Sequence, residues 1–188
     1  MMSMLKNDLN VILRREELEK GIQKYIYIMD FLKNTDVTTD IEFQKKYKSF
    51  FAMGRKNKIY YEVYFNLLEQ SKNNPIPFSK VLNHIHENTK QFHCSFGSKL
   101  VHVTNPNEPI WDNIVSNQHF GFKLPYPSAK NREERINIVY SNYRDAFFDF
   151  ISSEEGQKII KAFDDKFPEY ASKISNTKKI DFVLWQDR

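Results

Sequence analysis

The sequence predicts an all-α protein. Apolar residues recur at three- and four-residue spacing along most of its 188 residues, no two segments alternate as a strand pair, and Pro and Asn clusters interrupt the pattern at helix-length intervals. The length suits one compact domain with a full core, so a single domain of about eight or nine helices is expected. Its parts are an N-terminal helical segment over 1–38, a central core over 39–120 and C-terminal helices over 121–188.

The first helix is carried by Leu18, Ile22, Tyr25, Ile26, Met29 and Leu32, and Asn34 to Thr38 breaks it. Thr39-Asp40-Ile41-Glu42 reads as a capping box, with Thr39 and Glu42 satisfying free amides. Phe43, Tyr47, Phe50 and Phe51 continue that helix, and Gly54 is expected to end or bend it. A helix over Lys58 to Gln70 follows, with Ile59, Val63 and Leu67 on one face, Tyr60 and Tyr64 beside them, and Asn73-Asn74-Pro75 as its stop. Phe78, Val81, Leu82 and Ile85 mark a shorter helix, and Phe96, Leu100 and Val103 another.

Two prolines make Asn105 to Pro109 a turn, since each restricts itself and the residue before it. Asp112 to His119 fits two helical turns, and Gly121 to Asn131 is the longest loop. The clearest helix runs through Ile136, Val139, Tyr140, Tyr143, Phe147 and Phe150. Ser152-Ser153-Glu154-Glu155 reads as a second capping box, starting a helix through Ile159, Ile160, Phe163 and Phe167 that Pro168 ends. Over Lys179 to Trp185, Ile180, Val183 and Leu184 keep helical period, yet Phe182 and Trp185 leave no polar face.

Composition excludes several function classes. Hydrophobic residues make up 40% and charged residues 28%, which are globular values, and no apolar run nears the ~20 residues of a membrane span. Met1 to Leu13 lacks the layout of a signal peptide because Lys6, Asn7 and Asp8 interrupt it. A single cysteine, Cys94, excludes an internal disulfide and a multi-cysteine zinc site. The expectation is a cytoplasmic protein without a membrane partner. His84 and His86 are two residues apart and point to different helix faces, and no His-Glu-x-x-His or phosphate-loop motif occurs. Neither a metal nor a cofactor is expected. His102 follows Ser98 by one turn, but no nucleophile elbow frames a hydrolytic pair.

Charge distribution says more than net charge, which is only +4. Between Ile41 and His102 ten basic residues face four acidic ones, while the remainder of the chain is slightly acidic. Such a stripe suits a phosphate backbone; a solvated helical face is the bland alternative. Lys45, Lys48, Arg55, Lys56, Lys58 and Lys99 are the candidate phosphate contacts.

The most unusual stretch is Ser95-Phe96-Gly97-Ser98-Lys99-Leu100-Val101-His102, then the Asn105–Pro109 turn, then Ile110-Trp111-Asp112-Asn113-Ile114-Val115. A small-residue helix, a Pro turn and an aspartate at the mouth of the next helix resemble the core of the helix-hairpin-helix DNA glycosylases. The resemblance covers roughly Lys80 to Gln118. It implies a glycosylase-like helical core in which Asp112 stabilises the sugar cation or activates water as a flipped base leaves. The family's glycine-rich hairpin corresponds here to Thr89 to Cys94, which has no glycine. Its Schiff-base lysine corresponds to a position near Ser95, with Lys99 one turn further on. The resemblance therefore implies at most a glycosylase without lyase activity, or a relative that has lost catalysis.

Trp111, Tyr60, Tyr64 and His102 are the candidate pocket residues, and Asp112 is equally suited to helix capping. The segments Tyr47 to Phe51, Arg55 to Lys58, Pro109 to Asp112 and Lys178 to Trp185 also look like a family of bacterial proteins without an assigned activity. The expected function is nucleic-acid binding, of DNA in particular. The alternative is a non-catalytic helical interaction protein, a bacterial accessory or defence-related factor with a protein partner.

Overall fold

In a computed structural model, which describes residues 4–188, all regular secondary structure is helical, with no strand among those residues. Residues 1–3 of the stretch weighed against a signal peptide lie outside them. The helices are α1 (Leu9–Leu13), α2 (Glu16–Asn34), α3 (Ile41–Phe50), α4 (Lys58–Ser71), α5 (Phe78–Thr89), α6 (Cys94–Thr104), a π-helix (Asn113–His119), α7 (Arg132–Ser152), α8 (Glu154–Lys166) and α9 (Asn176–Gln186). Helix α1 is the element without a counterpart in the sequence pattern. It is a single short turn-and-a-half capped by Asp8, whose carboxylate accepts from the Asn10 and Val11 amides.

Contacts divide the chain into two compact units. The first contains the residues up to Ile22 together with Pro106–Arg188, and the second contains Gln23–Asn105. In the second unit α5 lies against both α4 and α6, which also touch each other. Its core is aromatic: Tyr25, Phe43, Tyr47, Tyr60, Tyr64 and Phe65 are all buried, with Leu68, Val81, Leu82 and Leu100 among them. In the first unit α9 is the hub, touching α1, α7, α8 and the π-helix. Ile12, Leu18, Ile136, Tyr143, Phe147, Phe163 and Val183 fill the core there.

Several helix ends differ from the sequence reading, each for a local reason. Helix α3 is capped by Asp40, not Thr39: the Asp40 carboxylate accepts from the Phe43 amide at 2.9 Å. Thr39 is held instead in the preceding turn, where its amide and that of Asp40 both donate to the Asp36 carbonyl. Helix α3 stops before Gly54. The Met53 amide donates to the Lys48 carbonyl and the Ala52 amide to that of Ser49, a Schellman closure that places Ala52 at φ 47°.

At the α7–α8 junction Ser152 ends one helix and Ser153 caps the next, its hydroxyl accepting from the Gly156 amide at 3.1 Å. Position three of that cap is thus a glycine, and the reciprocal box cannot close. A Cβ on Gly156 would lie 2.0 Å from the Phe150 carbonyl oxygen, so the tight junction requires glycine. Glu155, freed from capping duty, reaches the Met4 amide at 2.9 Å.

Helix α9 resolves the ambiguous tail. It has no polar face because almost every residue of it is buried, Lys178 and Lys179 included. Lys178 pairs with Asp181 at 2.6 Å, where both side chains are under 10% exposed, and Lys179 pairs with Asp164 at 2.6 Å. At the end of α9 the Asp187 carboxylate accepts from the Lys6 and Asn7 amides at 2.7 and 2.9 Å. Among the described residues no helix is long and apolar enough to cross a membrane.

Candidate nucleic-acid interface

The basic residues converge on the connection between α3 and α4. The Schellman closure turns the chain sharply after Phe51, and Asn57 starts α4 by accepting from the Tyr60 amide at 2.8 Å. Between these two fixed points the chain exposes Gly54 and Arg55 and leaves Lys56 half-buried. The Tyr61 hydroxyl donates to the Gly54 carbonyl at 2.6 Å, fastening the connection to the first turn of α4.

Lys48, on the last turn of α3, holds its ammonium 4.5 Å from the centre of the Tyr61 ring. A cation over a half-exposed ring is held by attraction to the ring face, and it keeps a positive charge beside a partly exposed aromatic side chain. Lys45 and Arg55 are exposed and make no ion pair or hydrogen bond among the described residues. Lys58 has only a loose, exposed pair with Glu62 at 3.4 Å. Five of the six expected cations thus sit on α3, on α4 or on the short connection between them.

Lys99 departs from that expectation. It is 6% exposed, and its ammonium donates to the Phe51 carbonyl at 2.7 Å. Phe51 is the residue that ends α3, so Lys99 satisfies a carbonyl at the negative end of that helix. At Gly97 a Cβ would stand 3.5 Å from Phe78 and Val81, an ordinary packing distance, so α6 lies against α5 at that turn. Lys99 braces the basic corner from inside and is not presented to a phosphate chain.

The four expected pocket residues fall in three places. Tyr60 and Tyr64 lie beside each other on α4, with ring centres 6.5 Å apart. Tyr64 donates to the Phe96 carbonyl at 3.0 Å, which leaves its oxygen to accept from Tyr47 at 2.8 Å. His102 is fully buried and bonds through Nε2 to the Tyr25 hydroxyl at 3.0 Å. Trp111 belongs to the other unit, buried against Tyr143 at 5.2 Å. Burial pushes the phenols of Tyr47, Tyr60 and Tyr64 well above their ordinary value. They remain neutral hydrogen-bond donors at physiological pH.

Asp112, in the first unit, caps the π-helix: one carboxylate oxygen accepts from the Ile114 amide at 2.9 Å. Its carbonyl takes both the amide and the hydroxyl of Ser116 at 2.7 Å. Asp112 is half-buried, and its second carboxylate oxygen has no hydrogen-bond partner among the described residues. The expected two-turn helix after it is wound as a π-helix, with the Phe120 amide reaching back five residues to the Val115 carbonyl.

In the sequence Tyr60, Tyr61 and Tyr64 occupy nearly the whole circumference of their helix, so that at least one should be exposed or hydrogen-bonded and could stack on a base; in the structure Tyr60 and Tyr64 are buried and Tyr61 is the half-exposed one. Comparison with family models, with curated proteins and with solved structures finds no match to this chain.

Proposed function

We propose that this protein binds nucleic acid through the α3–α4 corner of its second unit. The observation that carries the reading is the pairing of cation and ring there. Lys48 stands over Tyr61, with Lys45 and Arg55 exposed nearby in sequence and free of counter-charges. A phosphate backbone supplies the missing negative charge, and the half-exposed Tyr61 offers a face on which a base stacks.

The finer reading, supported by the resemblance of Ser95 to Val115, is N-glycosidic hydrolysis with Asp112 as the acid. One oxygen of Asp112 caps its helix and the other is available to steady positive charge on the sugar. In that step water adds to the sugar carbon, the carbon–nitrogen bond breaks, the base leaves with the bonding pair, and the water's proton passes to the carboxylate. A lyase step needs a free lysine nucleophile, and Lys99 is committed to the Phe51 carbonyl.

Fluorescence anisotropy with a labelled duplex tests the binding. Arg55→Glu with Lys45→Glu is expected to weaken it by at least roughly tenfold, since each reversal replaces an attraction by a repulsion. Unchanged affinity in that double variant overturns the assignment of the corner. Base release from damaged duplexes tests the chemistry: Asp112→Asn is expected to retain binding and lose release roughly a hundredfold or more. Release that survives the substitution removes Asp112 from the mechanism.

A further inference from the structure

Two donors without acceptors among the described residues belong to the same aromatic neighbourhood of the second unit. The Tyr60 hydroxyl is buried, in a residue only 1% exposed, and has no hydrogen-bond partner among the described residues. A buried hydroxyl left this way costs free energy, and native folds rarely tolerate one without a ligand or water to complete it. The Lys56 ammonium lies 5.9 Å from the centre of the same ring and 5.8 Å from that of Phe96. Lys56 is half-buried and has no carboxylate or hydrogen-bond acceptor among the described residues. The His93 ring closes the surround, edge-on to Tyr60 at 5.2 Å and stacked on Phe96 at 5.3 Å.

We infer that Tyr60 and Lys56, with Phe96 and His93 around them, form a binding site for a phosphate oxyanion. The assignment follows from what is missing. A neutral phenol donates one hydrogen bond, and an ammonium donates up to three. Both needs are met at once by a single group with several acceptor oxygens and negative charge. Water completes the phenol but leaves the half-buried ammonium without a counter-charge. Lys56, Phe96 and His93 are all partly exposed, and Tyr60 beside them is buried. The inference deepens the nucleic-acid reading, because Lys56 belongs to the same α3–α4 connection. The phosphate can belong to an oligonucleotide or be free.

Thermal unfolding with inorganic phosphate, at ionic strength matched by chloride, is the test. A parallel titration uses oligonucleotides with a 5′-phosphate or a 5′-hydroxyl. Wild type is expected to gain a saturable rise in Tm with phosphate. Tyr60→Phe is expected to unfold no lower than wild type in phosphate-free buffer, because the removed hydroxyl had no partner. Its phosphate response, and that of Lys56→Gln, weakens by roughly tenfold or more. A wild type that responds to phosphate no more than to chloride overturns the site, and so do variants that respond as wild type does. A lower Tm for Tyr60→Phe shows the hydroxyl to be satisfied within the fold and also overturns it.

The two oligonucleotides separate the sources. Preference for the 5′-phosphate assigns the site to a strand end, and equal binding with a retained inorganic-phosphate response assigns it to free phosphate. Oligonucleotide binding without a Tyr60-dependent phosphate response removes this site and leaves the corner intact. A phosphate response in a protein that binds no oligonucleotide does the reverse.

Discussion

Ala52 shows how a single residue shapes the basic corner. It occupies the left-handed position of the Schellman closure, at φ 47°, where a Cβ costs about 1 kcal/mol relative to glycine. The residue is exposed, so its methyl group contributes no packing. Ala52→Gly is therefore expected to stabilise the protein by about 0.5–1 kcal/mol in urea denaturation, against the usual direction of an alanine-to-glycine change. A loss of stability would mean that the turn is held by something other than backbone closure. Sequence placed the reversal at Gly54, two residues late, because glycine is the ordinary signal for a helix stop and alanine is not. Lys99 was misplaced for a related reason. Charge counted along a chain carries no information on which side chains face inward, and it is the burial of Lys99 and its bond to the Phe51 carbonyl that show this lysine to be enclosed. By contrast, Asp112 as a cap was legible, since a short side-chain carboxylate directly before an apolar helix start is suited to the free amides there.

At the scale of elements, most helices were readable because their apolar stripes face one way. Helix α7 is the clearest case, with Ile136, Tyr140, Tyr143, Phe147 and Phe150 all buried as its period requires. Helix α9 was not readable, and the reason is its position as hub. An element covered on all sides loses the contrast between faces on which periodicity depends, and its lysines look like surface residues until their partners are seen. Breaking a buried pair strands a charge, which costs about 3–5 kcal/mol. Asp181→Asn is expected to destabilise the protein by about that amount, with Lys178→Met in the same chain recovering most of the loss. Equal instability of single and double variants would show that α9 depends on the charges themselves and not merely on their mutual neutralisation. The π-helix was equally hidden. A sequence that fits two ordinary turns carries no mark of the wider winding adopted after Asp112.

For the molecule as a whole, the aromatic core fixes how stability responds to alkali. The phenols of Tyr47, Tyr60 and Tyr64 are raised chiefly by burial, with the neighbouring Tyr61 adding for Tyr60 and Tyr47 adding for Tyr64. Above pH ~10 an unfolded chain gives up protons that the fold retains, so stability is unaffected below that point and falls as pH climbs toward the folded values. The slope contributed is about 1.4 kcal/mol per pH unit for each phenol. Urea midpoints measured from pH 8 to 11 should therefore be flat at first and then drop steeply; a flat profile to pH 11 contradicts the burial of these rings.

The division into two units also limits what could be read of function. Asp112 and Trp111 are adjacent in sequence to the small-residue helix, yet they belong to the other unit, whereas the cations and Tyr60, Tyr61 and Tyr64 gather in one. The basic corner was legible as a cluster of residues, but its aromatic partner at Lys48 was not, because sequence does not say which of three tyrosines faces outward.

Salt dependence of duplex DNA binding tests the corner most directly, since each phosphate neutralised contributes a slope of about −0.9 in log affinity against log salt concentration. With Lys45, Lys48, Arg55 and Lys58 engaged, wild type is expected to show a slope of roughly −3 to −4, reduced by about one for each of these residues changed to Gln. A slope near zero, or one that these substitutions leave unaltered, contradicts nucleic-acid binding through the α3–α4 corner.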